Sequence, residues 1–119
     1  MNVPAGSSTS TSFSIDCPTP PPPNRPPVVD AGPDDPNVVV GLLYTLSVSF
    51  SDPDNNGPWS YTVEWDDGSS NSTGNLPSQG TFSVGHTYLV PLTTHRIRVT
   101  VTDADGLSGS DEKVVGIIL

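Results

Sequence analysis

The chain has little of what stabilises or localises many small proteins, and each shortage narrows its possible roles. It has one cysteine, Cys17, among 119 residues, so no disulfide can form within the chain. Four Lys and Arg stand against thirteen Asp and Glu, and the formal charge of −9 argues against nucleic acid and anionic membranes as partners. The fold must therefore rely on apolar packing.

Long apolar runs are missing as well. The longest, residues 114–119, is interrupted by Gly116 and falls far short of the roughly 20 residues of a membrane helix. The start of the sequence has no basic residue and no apolar segment of about 7 to 15 residues, so it does not resemble a secretory signal. If Met1 is the native start, we expect a protein made and released in the cytoplasm.

Signatures of catalysis are absent from the sequence. It contains two histidines, His86 and His95, and no Gly-x-Ser-x-Gly elbow, phosphate-binding glycine loop, zinc-spaced Cys and His set or dinucleotide fingerprint. We place His95 on the solvent side of a strand. The sequence thus predicts a protein that is not an enzyme and requires no cofactor.

Proline is abundant and unevenly placed. Eight of the fourteen prolines lie in residues 1–27, which cannot propagate a helix and are predicted to form an extended arm before a domain at residues 28–119. The apolar residues Phe13 and Ile15 are either incidental or a segment that anchors the arm to a partner's sheet edge. Cys17 is either inert or a cross-link between chains.

Beyond residue 27 the pattern is that of short strands. Apolar and polar residues alternate with a period of two, which is typical of strands with one buried face. The predicted strands are residues 38–40, 44–50, 61–65, 81–84, 96–102 and 112–118, and residues 66–80 are predicted to be a turn and a polar stretch. With turn residues between them and no helical period, they indicate an all-β, two-sheet antiparallel β-sandwich.

Three motifs occur in order along this region: V-E-W-D-D-G at residues 63–68, G-H-T-Y at 85–88 and R-V-T-V-T-D-A-D-G at 98–106. Together they resemble the polycystic-kidney-disease (PKD) type of immunoglobulin-like domain. The resemblance implies a non-catalytic structural, spacing or adhesion role. The positions that carry it are Trp65, Asp67, Gly68, His86, Tyr88, Asp103 and Gly106.

Physical chemistry explains why such residues recur in a sandwich. We expect Trp65 to fill the space between the sheets and the Tyr88 hydroxyl to reach a backbone group. Gly68 and Gly106 stand where turns commonly need a positive φ. His86 is expected to be a structural residue that makes a hydrogen bond beside the Asp-Gly turn. One departure from the family pattern is Asp66, which stands where the family usually has glycine.

A calcium site is one alternative for the Asp-rich segment after the second predicted strand. Asp52, Asp54 and Asn56 with Gly57 match the first half of a calcium loop. The twelfth position from Asp52 is Val63, which cannot complete it. The other alternative is an ordinary loop, because Asp, Asn, Gly and Pro also build turns.

Two functions are compatible with these observations. The first is a virion surface protein, a capsid decoration or cement subunit of a tailed phage, in which the arm binds a large protein assembly and the sandwich faces outward. The second is an extracellular accessory, spacer or carbohydrate-binding module of a secreted enzyme or adhesin. In that module Trp59 and Tyr61 are either exposed and stack on a surface glycan, or Trp59 is a loop residue folded over the edge of the sandwich. Unpaired edge strands and Cys17 make a homo-oligomer or a linked partner a further expectation.

Overall fold

Residues 23–119 are described by a computed structural model, and they form β-strands and no helix. The strands are β1 (Val28–Asp30), β2 (Asp35–Val39), β3 (Leu43–Ser51), β4 (Trp59–Glu64), β5 (Ser72–Leu76), β6 (Gly80–Thr87), β7 (Thr94–Thr102) and β8 (Ser108–Ile118). The predicted all-β class is confirmed. In this part of the chain, no helix exists that is long and apolar enough to cross a bilayer.

The strands form two sheets. One has the order β1-β3-β6 and the other the order β2-β8-β7-β4-β5. The predicted two-sheet sandwich is confirmed, with one parallel pair, β2 with β8, that the sequence did not indicate. The parallel edge strand tolerates Pro36 because its outer side needs no N–H donor, and a Cβ on Gly116 of β8 would lie 3.1 Å from the Pro36 carbonyl oxygen.

The core follows the alternation predicted for the two longest regular strands. On β3, Leu46, Val48 and Phe50 are buried while the hydroxyl residues between them are exposed. On β7, Val99 and Val101 have no exposed surface. Burial of each such side chain contributes about 1.5–3 kcal/mol, so inward alternation accounts for most of the stability of the two sheets.

Two strands lie where none was predicted. β5 falls within the stretch of residues 66–80 taken to be a polar loop, and β1 falls just after the arm. β5 pairs with β4 from Trp59↔Leu76 to Val63↔Ser72, and Leu76 is its one buried residue. Neither strand shows an alternation of apolar and polar residues in its sequence. Each is a strand because its backbone pairs with a neighbouring strand.

The first described residues attach to one end of the sandwich. Asn24 Nδ2 donates to Asp103 Oδ2 at 2.7 Å, and Arg25 donates its backbone N–H and its guanidinium to Asp54. Pro27 is buried, and a Cβ on Gly109 would overlap its carbonyl oxygen. Among residues 23–119, contacts with the domain therefore begin at residue 24, inside the segment of residues 1–27 assigned to the arm. We call this the acidic end; its loops are residues 52–58 and 103–107.

Candidate functional site

Trp65, from the V-E-W-D-D-G motif, is the central side chain of the candidate site. It directly follows β4 and is 1% exposed. Its ring stacks on the imidazole of His86, with centroids 4.4 Å apart and planes 9° from parallel. Its indole N–H donates to Ser72 Oγ at 3.0 Å, which satisfies a donor that burial removes from water. The site thus joins β4, β5 and β6.

An acid–imidazole pair lies beside this stack. His86 Nε2 and Asp67 Oδ2 are 2.7 Å apart, and both side chains are largely buried. The hydroxyl and the backbone N–H of Ser69 also donate to Asp67. Burial alone raises the pKa of Asp67, but the hydrogen bonds from Ser69 and His86 outweigh it and lower the pKa to about 2. Asp67 is therefore ionised at neutral pH.

Tyr88 holds the β4–β5 turn through a hydrogen bond and ring contacts. Its hydroxyl donates to the Trp65 carbonyl oxygen at 2.9 Å, and its ring is 1% exposed. The edge of its ring meets His86 at 4.8 Å, and its face stacks on His95 at 4.8 Å. Burial, followed by the charge of Asp67, raises the pKa of Tyr88. The hydroxyl therefore remains a neutral donor to the backbone.

The expectation that His95 faces solvent is wrong. His95 shares its strand parity with the buried Ile97, so it points inward and stacks on Tyr88. Its Nδ1 donates to the Asp66 carbonyl oxygen at 2.7 Å. Asp66 has a φ of 62°, so it adopts the left-handed conformation that glycine tolerates best, and its carboxylate accepts the N–H of Arg96 at 3.0 Å.

This arrangement braces the turn between β4 and β5. His86 bonds a carboxylate through Nε2, as the histidine of a catalytic triad does, but its ring lies flat on the buried Trp65. The nearby hydroxyl of Ser69 donates to the same carboxylate and not to the imidazole. A base that activates a nucleophile must be within reach of the nucleophile's proton. The pair instead ties the β4–β5 turn to β6.

The two motif glycines and Asp103 build turns as expected. Gly68 has a φ of +82° and Gly106 a φ of +89°, values that other residues adopt only with strain. Asp103 is 5% exposed and accepts the N–H groups of Asp105 and Leu107 at 2.9 Å each. Burial raises the pKa of Asp103, and the hydrogen bonds from Asn24 and these amides lower it further than burial raises it.

The geometry of Asp52, Asp54 and Asn56 favours the ordinary loop over calcium. Asp52 is 4% exposed, and its two oxygens accept the N–H groups of Asp54 at 2.9 Å and Asn56 at 3.1 Å. The carboxylate of Asp54 pairs with Arg25 at 3.0 Å. Within residues 23–119 there is no group of three or more His, Cys, Asp or Glu side chains suited to hold a metal ion.

Of the two positions considered for Trp59, the structure shows the covered one and not the exposed one. Trp59 begins β4 and is 4% exposed. Its indole N–H donates to Asp52 Oδ2 at 2.8 Å, and its ring meets the edge of Phe50 at 5.4 Å. Tyr61 is half-buried against Phe82, with centroids 4.7 Å apart. These rings belong to the core and offer no platform for sugar stacking.

Three predicted residues, Phe13, Ile15 and Cys17, lie outside the described part of the chain. Their roles in anchoring or cross-linking stay predictions.

A surface that the sequence did not predict lies at the end opposite the acidic one. It consists of large apolar side chains on the β2–β3 turn, at the start of β3, on the β6–β7 loop and just after β8. We call it the end surface, and its residues are Leu42, Leu43, Leu89, Val90, Leu92 and Leu119. Beside it, a groove of about 640 Å³ runs past Tyr88, His86 and His95. The sequence signal that could have indicated this surface is the presence of apolar residues in a loop, as in Leu89-Val90-Pro91-Leu92.

Comparison with known proteins agrees with this geometry. The model of the PKD domain family matches residues 24–117. The chain belongs to the PKD domain family. Its fold is similar to that of the PKD domain of an M14-like peptidase from Thermoplasmatales archaeon SCGC AB-540-F20, with a TM-score of 0.70 and 21% identity over 82% of this chain and 100% of that one. No curated protein sequence matches the chain.

PKD domains are non-catalytic immunoglobulin-like domains, generally accessory and typically extracellular or surface-associated. The stacked Trp65 and His86, the Asp67 bond and the Tyr88 hydroxyl give this general statement a physical basis here. The residues most reminiscent of an active site are all occupied in holding the PKD fold together.

Proposed function

We propose that this PKD domain protein is a non-catalytic structural protein of a virus particle, a decoration or cement subunit on the capsid surface of a tailed phage. Residues 1–27 are the anchor, and the sandwich projects outward. The main support is that Asn24 and Arg25 bond to loops at the acidic end. An anchor that precedes them holds the domain by that end and leaves the opposite end facing away from the particle.

The charge of the chain is compatible with such a position. A formal charge of −9 keeps crowded neighbouring copies from clumping by mutual repulsion. It also disfavours binding to the nucleic acid inside a particle. An anchor that works through apolar side chains and backbone pairing, as proposed for Phe13 and Ile15, avoids this repulsion.

The test compares the full chain with a variant that lacks residues 1–22 and so retains Asn24 and Arg25 with their bonds. The native protein is first sought among large particles separated on a density gradient from its source. Both chains are then added to particles stripped of it. The full chain should sediment with the particles, and the truncated chain should stay in solution with an unchanged far-ultraviolet circular dichroism spectrum. Particle binding by the truncated chain contradicts the proposal, as does absence of the native protein from every particle fraction.

Point variants separate two ways of anchoring. Phe13→Ser with Ile15→Ser removes the apolar pair and leaves the thiol, whereas Cys17→Ser does the reverse. If the pair anchors the arm, the double variant loses particle binding and Cys17→Ser keeps it. Cross-linking through Cys17 would instead give particle-bound protein that only a reducing agent releases, seen on a non-reducing gel.

A second candidate function is an accessory or spacer module of a longer secreted enzyme or adhesin, with residues 18–27 as an interdomain linker. The similarity to a PKD domain that belongs to an M14-like peptidase favours it. A spacer suits the structure better than a carbohydrate binder, because Trp59 is buried. The reading frame around the gene decides between the candidates: a continuous hydrolase or adhesin frame supports the module, and neighbouring capsid genes support the decoration protein.

A further inference from the structure

The end surface exposes several large apolar side chains that the loops do not require for their own folding. Each of its six side chains is at least 60% exposed, and Leu89 and Leu92 reach 77%. Scattered exposed leucines are common, but a contiguous apolar surface on a soluble domain marks an interaction site. In a chain in which only 33% of the residues are hydrophobic, this concentration at one end requires an explanation.

The loops that carry the surface are fastened to one another. Gly41 N–H donates to the Tyr88 carbonyl oxygen at 2.8 Å, and Val40 N–H donates to the Ile118 oxygen at 2.9 Å. Leu92 N–H donates to the Ile117 oxygen at 2.8 Å. These bonds connect the β2–β3 turn, the β6–β7 loop and β8. The leucines are therefore presented on a fixed frame, so a partner meets a preorganised surface.

Leu92 is the most informative residue of the group. It has a φ of 61°, a conformation in which a branched side chain is strained and glycine is not. Its side chain is 77% exposed, so burial within this domain does not offset the strain. The Leu92 backbone bond to Ile117 holds this conformation but does not account for the exposed apolar side chain. A strained residue with an exposed apolar side chain points to a function outside the fold, and here the function is apolar contact.

Charge placement indicates what kind of partner fits. The six side chains of the end surface carry no charge, whereas Asp52, Asp54, Asp103 and Asp105 lie at the opposite, acidic end. The nine residues of β7 separate the two ends by about 30 Å. Two copies that meet by their end surfaces keep their acidic ends on the order of 60 Å apart, far beyond the Debye length of roughly 8 Å.

Three aspartates lie nearer to the end surface. Asp66 and Asp67 are on the β4–β5 turn, and Asp35 lines a shallow pocket with Leu42 and Leu43. Asp67 is paired with His86, and the Asp66 carboxylate accepts the N–H of Arg96. Both of these carboxylates thus make hydrogen bonds within the domain. A second copy thus offers an equally apolar set of side chains without bringing the acidic loops together.

We propose that the end surface is a self-complementary interface through which two copies of this chain associate end to end. Such an isologous contact places the same leucines on both sides of a two-fold axis. Six residues a side are few beside the 20 to 30 of a standard interface, so the dimer is weak and dependent on concentration. The proposal goes beyond the proposed function and does not rest on it, since the free protein tests it.

The experiment measures association of the full chain by sedimentation velocity. Concentrations run from about 10 µM to about 1 mM, the range of small interfaces, with a reducing agent present so that Cys17 forms no link. Leu92→Asp and Leu89→Asp place a charge in the end surface. Leu107→Asp is the matched control, because Leu107 is also exposed but lies on the β7–β8 turn at the acidic end.

Wild type and Leu107→Asp should dimerise with association constants within about twofold of each other. Each end-surface variant should lower the constant by at least about tenfold, the effect of an unpaired charge in a small apolar contact. A wild-type chain that stays monomeric throughout overturns the proposal. So does a dimer that Leu92→Asp leaves intact, or one that Leu107→Asp disrupts equally.

Leu92→Gly separates association from folding. Glycine relieves the positive φ, so the folded monomer should keep or raise its thermal midpoint. The same change removes the exposed side chain, so dimerisation should weaken. A variant with a raised midpoint and undiminished association shows that the Leu92 side chain has no part in the contact and contradicts the proposal.

Discussion

The two ends of the sandwich are made of similar turns but use their polar groups differently. At the acidic end, the buried carboxylates of Asp52 and Asp103 accept hydrogen bonds from their own loops. At the other end, a stack of Trp65, His86 and Tyr88 braces the loops, and leucines point outward. The carboxylates of the acidic end thus have their hydrogen-bond partners within the domain, although carboxylates are potential metal ligands. The apolar end instead exposes side chains that a partner can cover.

Removing the ring at the centre of the apolar end should have the largest effect. Trp65→Ala deletes a fully buried ring and the Ser72 hydrogen bond, so it should lower the free energy of unfolding by about 3–5 kcal/mol. Urea unfolding followed by circular dichroism measures the loss. Leu107→Ala at the other end serves as control and should change the value by less than about 0.5 kcal/mol. Equal effects would mean that the stack does not brace its end.

At the acidic end, the internal carboxylate is the sensitive point. Asp52→Ala leaves the Trp59 indole N–H and two backbone N–H groups without their acceptor, which should cost about 3 kcal/mol. Asp54→Ala is the matched control, since it removes an ion pair with the exposed Arg25, and it should leave the urea midpoint nearly unchanged. A calcium-dependent rise in the wild-type midpoint that Asp52→Ala abolishes would contradict the interpretation of this loop as purely structural.

Acid should weaken the apolar end through Asp67. Its folded pKa of about 2 lies below the ordinary value of 3.8, so its contribution is complete above about pH 5 and is lost as the pH falls through about 2. A shift of this size corresponds to about 2 kcal/mol. Asp67→Asn should therefore unfold more easily than wild type at pH 7 and about equally at pH 2. A constant difference across this range would contradict the assignment.

The smallest expected effect is that of one hydroxyl. Tyr88→Phe removes the donor to the Trp65 carbonyl and keeps the ring against both imidazoles. The loss should be about 1 kcal/mol. Chemical denaturation measures it, and Tyr61→Phe is the control on a half-buried ring. If the two variants are equally stable, the Tyr88 bond adds nothing to the brace.

Much of the fold was readable from the sequence because burial in a sandwich imposes a period of two. That signal located β3 and β7 nearly residue for residue. It could not locate β5, whose Ser, Thr, Gly and Asn residues pair through the backbone at a sheet edge. Applied to His95, the same parity predicts the inward position that the structure has, next to Ile97.

The candidate site was only partly predictable. Motif residues Trp65, His86 and Tyr88 are brought together by the structure, with Asp67 bonded to the imidazole. The partners of that group, Ser72 and the backbone of Asp66, were not foreseen. Contacts of this kind join residues from different strands, and a period along one strand carries no information about its neighbour.

By itself, the amino-acid sequence determined the all-β class, the family-type motifs and which strand faces are buried, because local alternation and turn chemistry are properties of short segments. Tertiary structure alone decided that Trp59 is buried, that Asp52 bonds its own loop, and that apolar side chains from three separate parts of the chain form one surface. These outcomes depend on which distant segments meet when the two sheets close over the core, and no short segment specifies that.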